Sequence, residues 1–310
     1  MNWLYDIGHS LWLGSNAAPK GQVLYATPGR QLPALIQSDR LPPLSEHILR
    51  IVCLSDTHEQ HEKIDVPPGD VLIVAGDVLL INRHFSTPYS MSKLESVARW
   101  LQALPHQHKI IIGGNHDRVM ETVGAARVRE LFARVGCTYL EDNRVKITCN
   151  CDKGRMAGHE RAKSRARSLL EGSETSTSAV PSPVPEKHES SDEKKGHSVA
   201  LSVYGSPVSR GSSANDAFQS NAEERIAHLA PCDILVTHAP LSSQVVKTIA
   251  PLVHVYGHIH ERYGISHVPV RVNNKTRSII SVCASIMDRR YHPSHSPIVV
   301  DIPVKSVTGR

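Results

Sequence analysis

A layered α/β fold with parallel strand pairs is what this sequence predicts, and three features of the chain predict it. Short apolar runs rich in β-branched residues recur, and each ends in a polar cluster: "ILRIVCL" (48–54), "VLIVA" (71–75) and "KIII" (109–112) come first. Continuous apolar runs of this length suit strands covered on both faces. Between the second and third lies "SKLESVARWLQAL" (92–104), where Leu94, Val97, Ala98, Leu101 and Leu104 fall at helical spacing. Strand, helix, strand is the signature of a crossover unit in a sheet with parallel pairs.

Taken in order, residues 1 to about 46 show no clear period and contain several prolines, so they read as a partly irregular extension ahead of one domain over 47–310. Strands begin at Ile48. Ser92 and Glu95 match a capping box and set the first helix start at 92. A second helix is expected over roughly 120–135, with Val123, Leu131, Phe132 and Val135 on one side, and "TYL" (138–140) returns to extended structure. Residues 152 to about 198 are polar, charged and proline-rich. They cannot bury enough apolar surface to offset the entropy of ordering. They read as a disordered insertion within the domain, a place for a protein partner to dock. Order resumes at "LSVYGSP" (201–207), followed by a helix "NAEERIAHL" (221–229) with a cap pattern at Asn221 and Glu224. "DILVT" (233–237), "LVHVY" (252–256), "RSIISVCA" (277–284) and "PIVVDI" (297–302) complete a strand-rich second half.

The bulk composition excludes several classes. With 310 residues, 40% hydrophobic and 21% charged, the chain suits a soluble globular protein. The formal charge of +5 is not gathered in one basic block, so it admits an anionic substrate without pointing to nucleic acid. The first residues lack a leader pattern, and no apolar stretch approaches the ~20 residues that span a bilayer. A cytoplasmic protein with no membrane partner is the expectation. The six cysteines form no disulfide framework, which fits a reducing compartment. Cys149-Asn150-Cys151 has soft-metal spacing but no second pair accompanies it.

Nineteen histidines direct attention to metal spacing. Five polar clusters sit at the carboxyl ends of apolar runs: Ser55-Asp56-Thr57-His58, Gly76-Asp77, Gly113-Gly114-Asn115-His116-Asp117, Thr237-His238 and Gly257-His258-Ile259-His260. In sheets with parallel strands those ends share one edge, where ligand sites form. Asp56, His58, Asp77, Asn115, His238, His258 and His260 are oxygen and imidazole donors, a set that suits divalent Mn, Fe, Zn or Ni. Asp-x-His and His-x-His place both side chains on one face of an extended segment. Seven donors are too many for one tetrahedral ion and suit two ions sharing a carboxylate, a device for in-line displacement at phosphorus.

In these blocks the chain resembles the calcineurin-like metallophosphoesterases, and most closely the metallophosphoesterase domain-containing branch. The matching stretches include "SDTHEQ", "GDVLIVAGD", "KIIIGGNHD", "DILVTHAP" and "HVYGHIHERYG". The resemblance implies two mixed β-sheets packed face to face and flanked by helices, an αββα sandwich. It implies that Asp56, His58, Asp77 and His260 hold one ion, that Asp77, Asn115, His238 and His258 hold another, and that Asp77 bridges them. It implies His116 as a catalytic group that protonates the leaving oxygen or steadies the charge, with Asp117 orienting it. The implied reaction is attack of a metal-bridging hydroxide on a small phosphodiester such as a cyclic nucleotide. Phosphomonoesterases, protein phosphatases and non-catalytic scaffolds are alternatives on the same fold, and the full ligand set favours an enzyme. Two stretches depart from the family pattern: nineteen residues separate His238 from His258, and "VSRGSSAND" follows "YGSP" where aromatics are expected. His61, His84 and His254 are further histidines that substrate could touch.

Overall fold

The computed structural model of the chain describes residues 10–12, 21–28, 33–80, 86–150, 198–209, 216–226 and 228–303. The insertion at 152–198 falls outside them except for Ser198, as do His84 and Cys151.

Two seven-stranded sheets form the centre. One contains β2 (Gln22–Ala26), β3 (Ala34–Gln37), β4 (Ile48–Leu54), β5 (Val71–Val74), β6 (His108–Ile111), β7 (Thr138–Tyr139) and β14 (Ile298–Pro303), in the order β3-β2-β14-β4-β5-β6-β7. The other contains β1 (Ser10–Trp12), β8 (Asn143–Asn150), β9 (Ser198–Ser206), β10 (Ile234–Thr237), β11 (Val253–Tyr256), β12 (Gly264–Val272) and β13 (Lys275–Cys283), in the order β1-β12-β13-β11-β10-β9-β8. Both are mixed. β4 to β7 run parallel, as do β9, β10, β11 and β13, while antiparallel strands lie outside them.

The apolar runs are continuous because both faces of each central strand are buried. In β4, Ile51 and Cys53 pack between the sheets with Val236, Val255 and Val282, whereas Val52 and Leu54 pack outward. The outward layer is α1 (Thr87–Ala103), α2 (Arg118–Val123) and α3 (Ala125–Ala133), which supply Leu94, Val97, Leu101, Met120, Val128 and Phe132. On the far side, α4 (Ala222–Ile226) and α5 (Ser243–Ile249) set Ile226, Val246 and Ile249 against Tyr204, Leu235 and Ile279. The result is the expected αββα sandwich.

Several local expectations change. α1 begins at Thr87 after Ser86, with proline in its first turn, a position that suits a residue lacking an N–H. Ser92 therefore caps nothing: its hydroxyl donates to the Tyr89 carbonyl inside the helix. The helix expected over 120–135 is two helices, broken at Gly124, whose φ of 82° ends α2. The helix over 221–229 contracts to Ala222–Ile226. β8, β12 and α5 had no counterpart in the sequence reading. The N-terminal stretch supplies strands to both sheets, with β2 pairing with β14 and β1 with β12. Beside β2, Arg50 makes a two-pronged buried bond to Asp301 at 2.8 and 2.7 Å, and Tyr25 donates to the same carboxylate at 3.1 Å. That pair fixes β2, β4 and β14 in register.

The two sheets meet at their strand ends. Ser55 after β4 bridges Ser285 after β13, with Ser55 N donating to Ala284 O at 2.9 Å and Ile286 N to Ser55 O at 2.9 Å. This joint brings the carboxyl ends of both parallel sets to one edge. Among the described residues, no helix is long and apolar enough to cross a membrane.

Candidate metal centre

All seven predicted donors converge at that joint. Each sits just past a buried strand end, where the chain must turn sharply. Asp56, His58, Asp77 and His258 have positive φ of 54°, 42°, 52° and 69°. Positive φ costs a non-glycine residue stability and persists where the surrounding structure dictates it. Glycines supply the remaining room. A Cβ on Gly257 would strike the Asp56 carboxylate and the Ser55 hydroxyl, and one on Gly114 would strike the Asp77 carboxylate.

Six of the donors, with His116 beside them, form three triangles, each with its atoms within 4.8 Å of one another: Asp56, His58 and His260; His58, Asp77 and His116; Asp77, His238 and His258. His58 links the first to the second, and Asp77 links the second to the third. Asn115 joins the last group, its Oδ1 lying 3.0 Å from His238 Nε2 and 2.9 Å from His258 Nδ1. Three rings are aimed by their opposite nitrogens. His58 Nδ1 donates to Leu79 O at 2.9 Å, His238 Nδ1 to Ala75 O at 2.8 Å, and His260 Nδ1 to Asp288 O at 3.0 Å. A carbonyl only accepts, so each Nδ1 carries the proton and each Nε2 of a neutral ring offers a lone pair inward. His58 Nε2 and His260 Nε2 face each other at 3.3 Å, with the Asp56 carboxylate 3.5 Å from His260 Nε2. Lone pairs and carboxylates pointed at one spot repel unless a proton or cation lies among them. This donor set fits divalent ions.

The electrostatics agree. Burial alone pushes Asp56 up, but the His260 hydrogen bond and the charges of His238, His260 and His58 hold it well below the ordinary carboxylate range. Asp77 is likewise buried, and His238, His116 and His58 hold it down. Burial pushes His58 down to about 4, so the ring is neutral at pH 7. His238 is lowered by burial but raised more by Asp77, 3.2 Å away, and ends at about 9.

That raised value has a measurable consequence. Without metal, the folded chain keeps a proton on His238 that the unfolded chain loses near the ordinary 6.5. The stability this confers is full below that value and disappears as pH rises through about 9. A divalent ion bound through His238 would replace the proton, so its affinity would rise by up to about tenfold per pH unit in that window. The gain in melting temperature on adding Mn²⁺ is expected to be larger at about pH 8.5 than at about pH 6.5. Equal gains at both would contradict the assignment of His238.

Other residues fall into place around this centre. His116 is 7% exposed and faces the cavity, its backbone N–H donating to Asp77 Oδ1 at 2.8 Å. Asp117 binds the backbone of two loops. Its Oδ1 accepts from Leu79 N at 2.9 Å and its Oδ2 from Gly114 N at 2.9 Å and Val78 N at 3.4 Å. It ties the loop after β5 to the loop after β6 and thereby holds Asp77 and Asn115 together. His61 is buried against Trp100, and His254 is buried between Thr237 and Ser281; neither lines the cavity. Cys149 lies in the intersheet core. The sequence reading missed Ser285, whose hydroxyl donates to Asp56 Oδ2 at 2.7 Å, and the turn carrying Asp288, Arg289 and Tyr291. No periodicity or spacing marks those residues. An open cavity of about 430 Å³ is lined by Asp77, Asn115, His116, His258 and His260 together with Glu261, Arg289 and Tyr291. That volume lies within the usual range for small-ligand sites.

The chain is 26% identical over 305 residues to a UPF0046 protein of Caenorhabditis elegans, covering 84% of each chain. It is 26% identical over 290 residues to the metallophosphoesterase domain-containing protein 1 of Homo sapiens and of Mus musculus, covering 82% of this chain and 71% of theirs. The profile of the calcineurin-like phosphoesterase family matches residues 49–262, a span holding all seven donors, His116 and Asp117. The chain belongs to the calcineurin-like phosphoesterase family, whose membership implies a metal-dependent phosphoester hydrolase.

Proposed function

We propose that this chain is a phosphodiesterase that works with two divalent ions drawn from Mn, Fe, Zn or Ni, acting on cyclic nucleotides or other small diesters. Asp56, His58, Asp77 and His260 would hold one ion and Asp77, Asn115, His238 and His258 the other. The observation that carries this reading is the chain of three donor triangles linked through His58 and Asp77, with three rings aimed inward by backbone carbonyls. When bound, such ions supply charge to the phosphoryl oxygens and make a water acidic enough to attack in line at neutral pH.

The protein's own groups do the rest. Asp117 and the carbonyls of Ala75, Leu79 and Asp288 fix the donors before substrate arrives. His116 faces the cavity beside Asp77, and burial lowers its pKa. Near pH 7 its ring is neutral, so it serves the leaving oxygen first as a hydrogen-bond donor. The charge lining the cavity favours diesters. Arg289 is the one Lys or Arg among the described lining residues, and it pairs with Glu261 at 2.7 Å. A phosphomonoester carries close to two negative charges at neutral pH and a diester one. The smaller charge needs fewer free cations.

Full-length protein loaded with Mn²⁺ is expected to hydrolyse bis-p-nitrophenyl phosphate with kcat/KM at least about tenfold above that for p-nitrophenyl phosphate. His116→Ala is expected to lower kcat by about 10²- to 10⁴-fold while metal content stays unchanged. Absence of turnover with any of the four metals would sink the reading, and preference for the monoester would reassign the substrate.

A further inference from the structure

The turn after β13 does two things at once. Asp288 staples it: the carboxylate accepts from Arg290 N at 2.8 Å, His292 N at 2.9 Å and Ser294 Oγ at 3.1 Å, and Asp288 N donates to His292 O at 2.9 Å. The Asp288 carbonyl then accepts two donors, His260 Nδ1 at 3.0 Å and Tyr291 N at 3.0 Å. One oxygen thus aims a metal-site histidine and anchors Tyr291. The Tyr291 carbonyl is pinned as well, accepting from Gln60 Nε2 at 2.8 Å. Between those two bonds Tyr291 sits at φ 60°, a conformation a bulky side chain rarely adopts. Such strain persists only where neighbours dictate it, and it gathers at ligand clamps.

The strain delivers a ring to one place. Its centroid lies 4.9 Å from that of His58, 5.0 Å from that of His260 and 6.1 Å from that of His116, tilted or edge-on to each. Yet Tyr291 stays 37% exposed, one of three exposed large apolar residues among those described. The ring therefore stands beside the Asp56, His58 and His260 triangle and lines the open cavity together with Asp77, Asn115, His116 and His258. A phosphoryl group bound near Asp77 would have its organic substituent leaving through this cavity. Among the described lining residues, the flat apolar surface belongs to Tyr291, and Arg289 and Glu261 beside it form an ion pair at 2.7 Å.

We propose that Tyr291 is the specificity-determining residue of the site: its ring is the platform on which the organic group of the ester lies, so esters of flat aromatic alcohols are held in preference to alkyl esters. This rests on the phosphoesterase reading above. Offset and edge-to-face aromatic pairs add a modest amount beyond burial, equivalent to about two- to tenfold in affinity.

The test is direct binding of phenylphosphonate and methylphosphonate, two non-hydrolysed phosphoryl probes, to Mn²⁺-loaded full-length protein by calorimetry. Wild type is expected to bind phenylphosphonate about two- to tenfold more tightly. Tyr291→Phe should retain that ratio, since the ring remains. Tyr291→Ala should bring it close to one while methylphosphonate affinity and metal content hold. Equal affinities in wild type, or a preference that survives in Tyr291→Ala, would overturn the proposal and leave the phosphoesterase reading intact. If wild type binds metal but neither phosphonate, the Tyr291 proposal falls, while turnover of bis-p-nitrophenyl phosphate decides the phosphoesterase reading separately.

Discussion

Asp77→Asn is expected to lower kcat/KM for a phosphodiester by at least about a thousandfold and to leave less than one equivalent of metal bound per chain. The estimate follows from the several kcal/mol of charge stabilisation a metal site supplies, at 1.36 kcal/mol per factor of ten. Asp77 is the pivot of the donor set. It belongs to two of the three triangles, faces His238 at 3.2 Å and takes the His116 backbone N–H at 2.8 Å. Asparagine retains the shape and one oxygen, so the fold should survive. Two changes occur at once: a negative charge is lost between the two donor groups, and an N–H₂ group meets histidine nitrogens that need an acceptor. The pKa of His238 should then fall, because Asp77 raises it. NMR titration of that ring is a readout that simple unfolding would not mimic. Unchanged activity in Asp77→Asn would contradict the shared-carboxylate arrangement.

Gly257→Ala is expected to disable the site from the other sheet. The added methyl would collide with Asp56 Oδ2 and Ser55 Oγ, at the joint where β4 meets β13. Those atoms cannot give way cheaply. The Asp56 carboxylate is fully buried and held by Ser285 Oγ at 2.7 Å and by His258 N at 3.0 and 3.1 Å. Overpacking of this kind costs about 1–3 kcal/mol of stability. The larger effect should be loss of metal and of activity, since Asp56 and His258 move apart. Gly124→Ala is the contrast: its φ of 82° makes it strained too, but a Cβ there meets nothing within 4 Å. It should lower the melting temperature and leave turnover per folded molecule intact. If both variants keep full activity, the crowding at Gly257 has no bearing on the metal centre.

The donor set was legible in the sequence for a physical reason. Strands buried on both faces are continuous apolar runs, and the polar residues that end them must lie at the sheet edge. Parallel order then brings Asp56, Asp77, Asn115, His238 and His258 together although they span some two hundred residues. Much of the frame was not legible. β12 reads "GISHVPVRV", where Pro269 and polar residues mask a strand whose pairing with β13 is fixed by a two-residue turn. Asn273 and Asn274 in that turn both have positive φ, a preference of short hairpins. β2 carries only "QVLYA", and its partner β14 lies at the other end of the chain. The capping pattern at Ser92 placed the start of α1 too late; the helix begins after Ser86, with Pro88 in its first turn. The hydrogen bonds of Asp117 were not legible either, because they come from backbone N–H groups that spacing does not reveal. Ser285 and Tyr291 act through a loop with no periodicity at all.

The central claim is that seven side chains hold two ions on either side of Asp77. Anomalous diffraction from crystals of Mn²⁺-loaded protein tests it most directly. Two peaks about 3.5–4 Å apart are predicted, one beside Asp56, His58 and His260 and the other beside Asn115, His238 and His258, with Asp77 touching both. A well-folded chain showing no peak at this joint, or a single ion that Asp77 does not contact, would contradict the account.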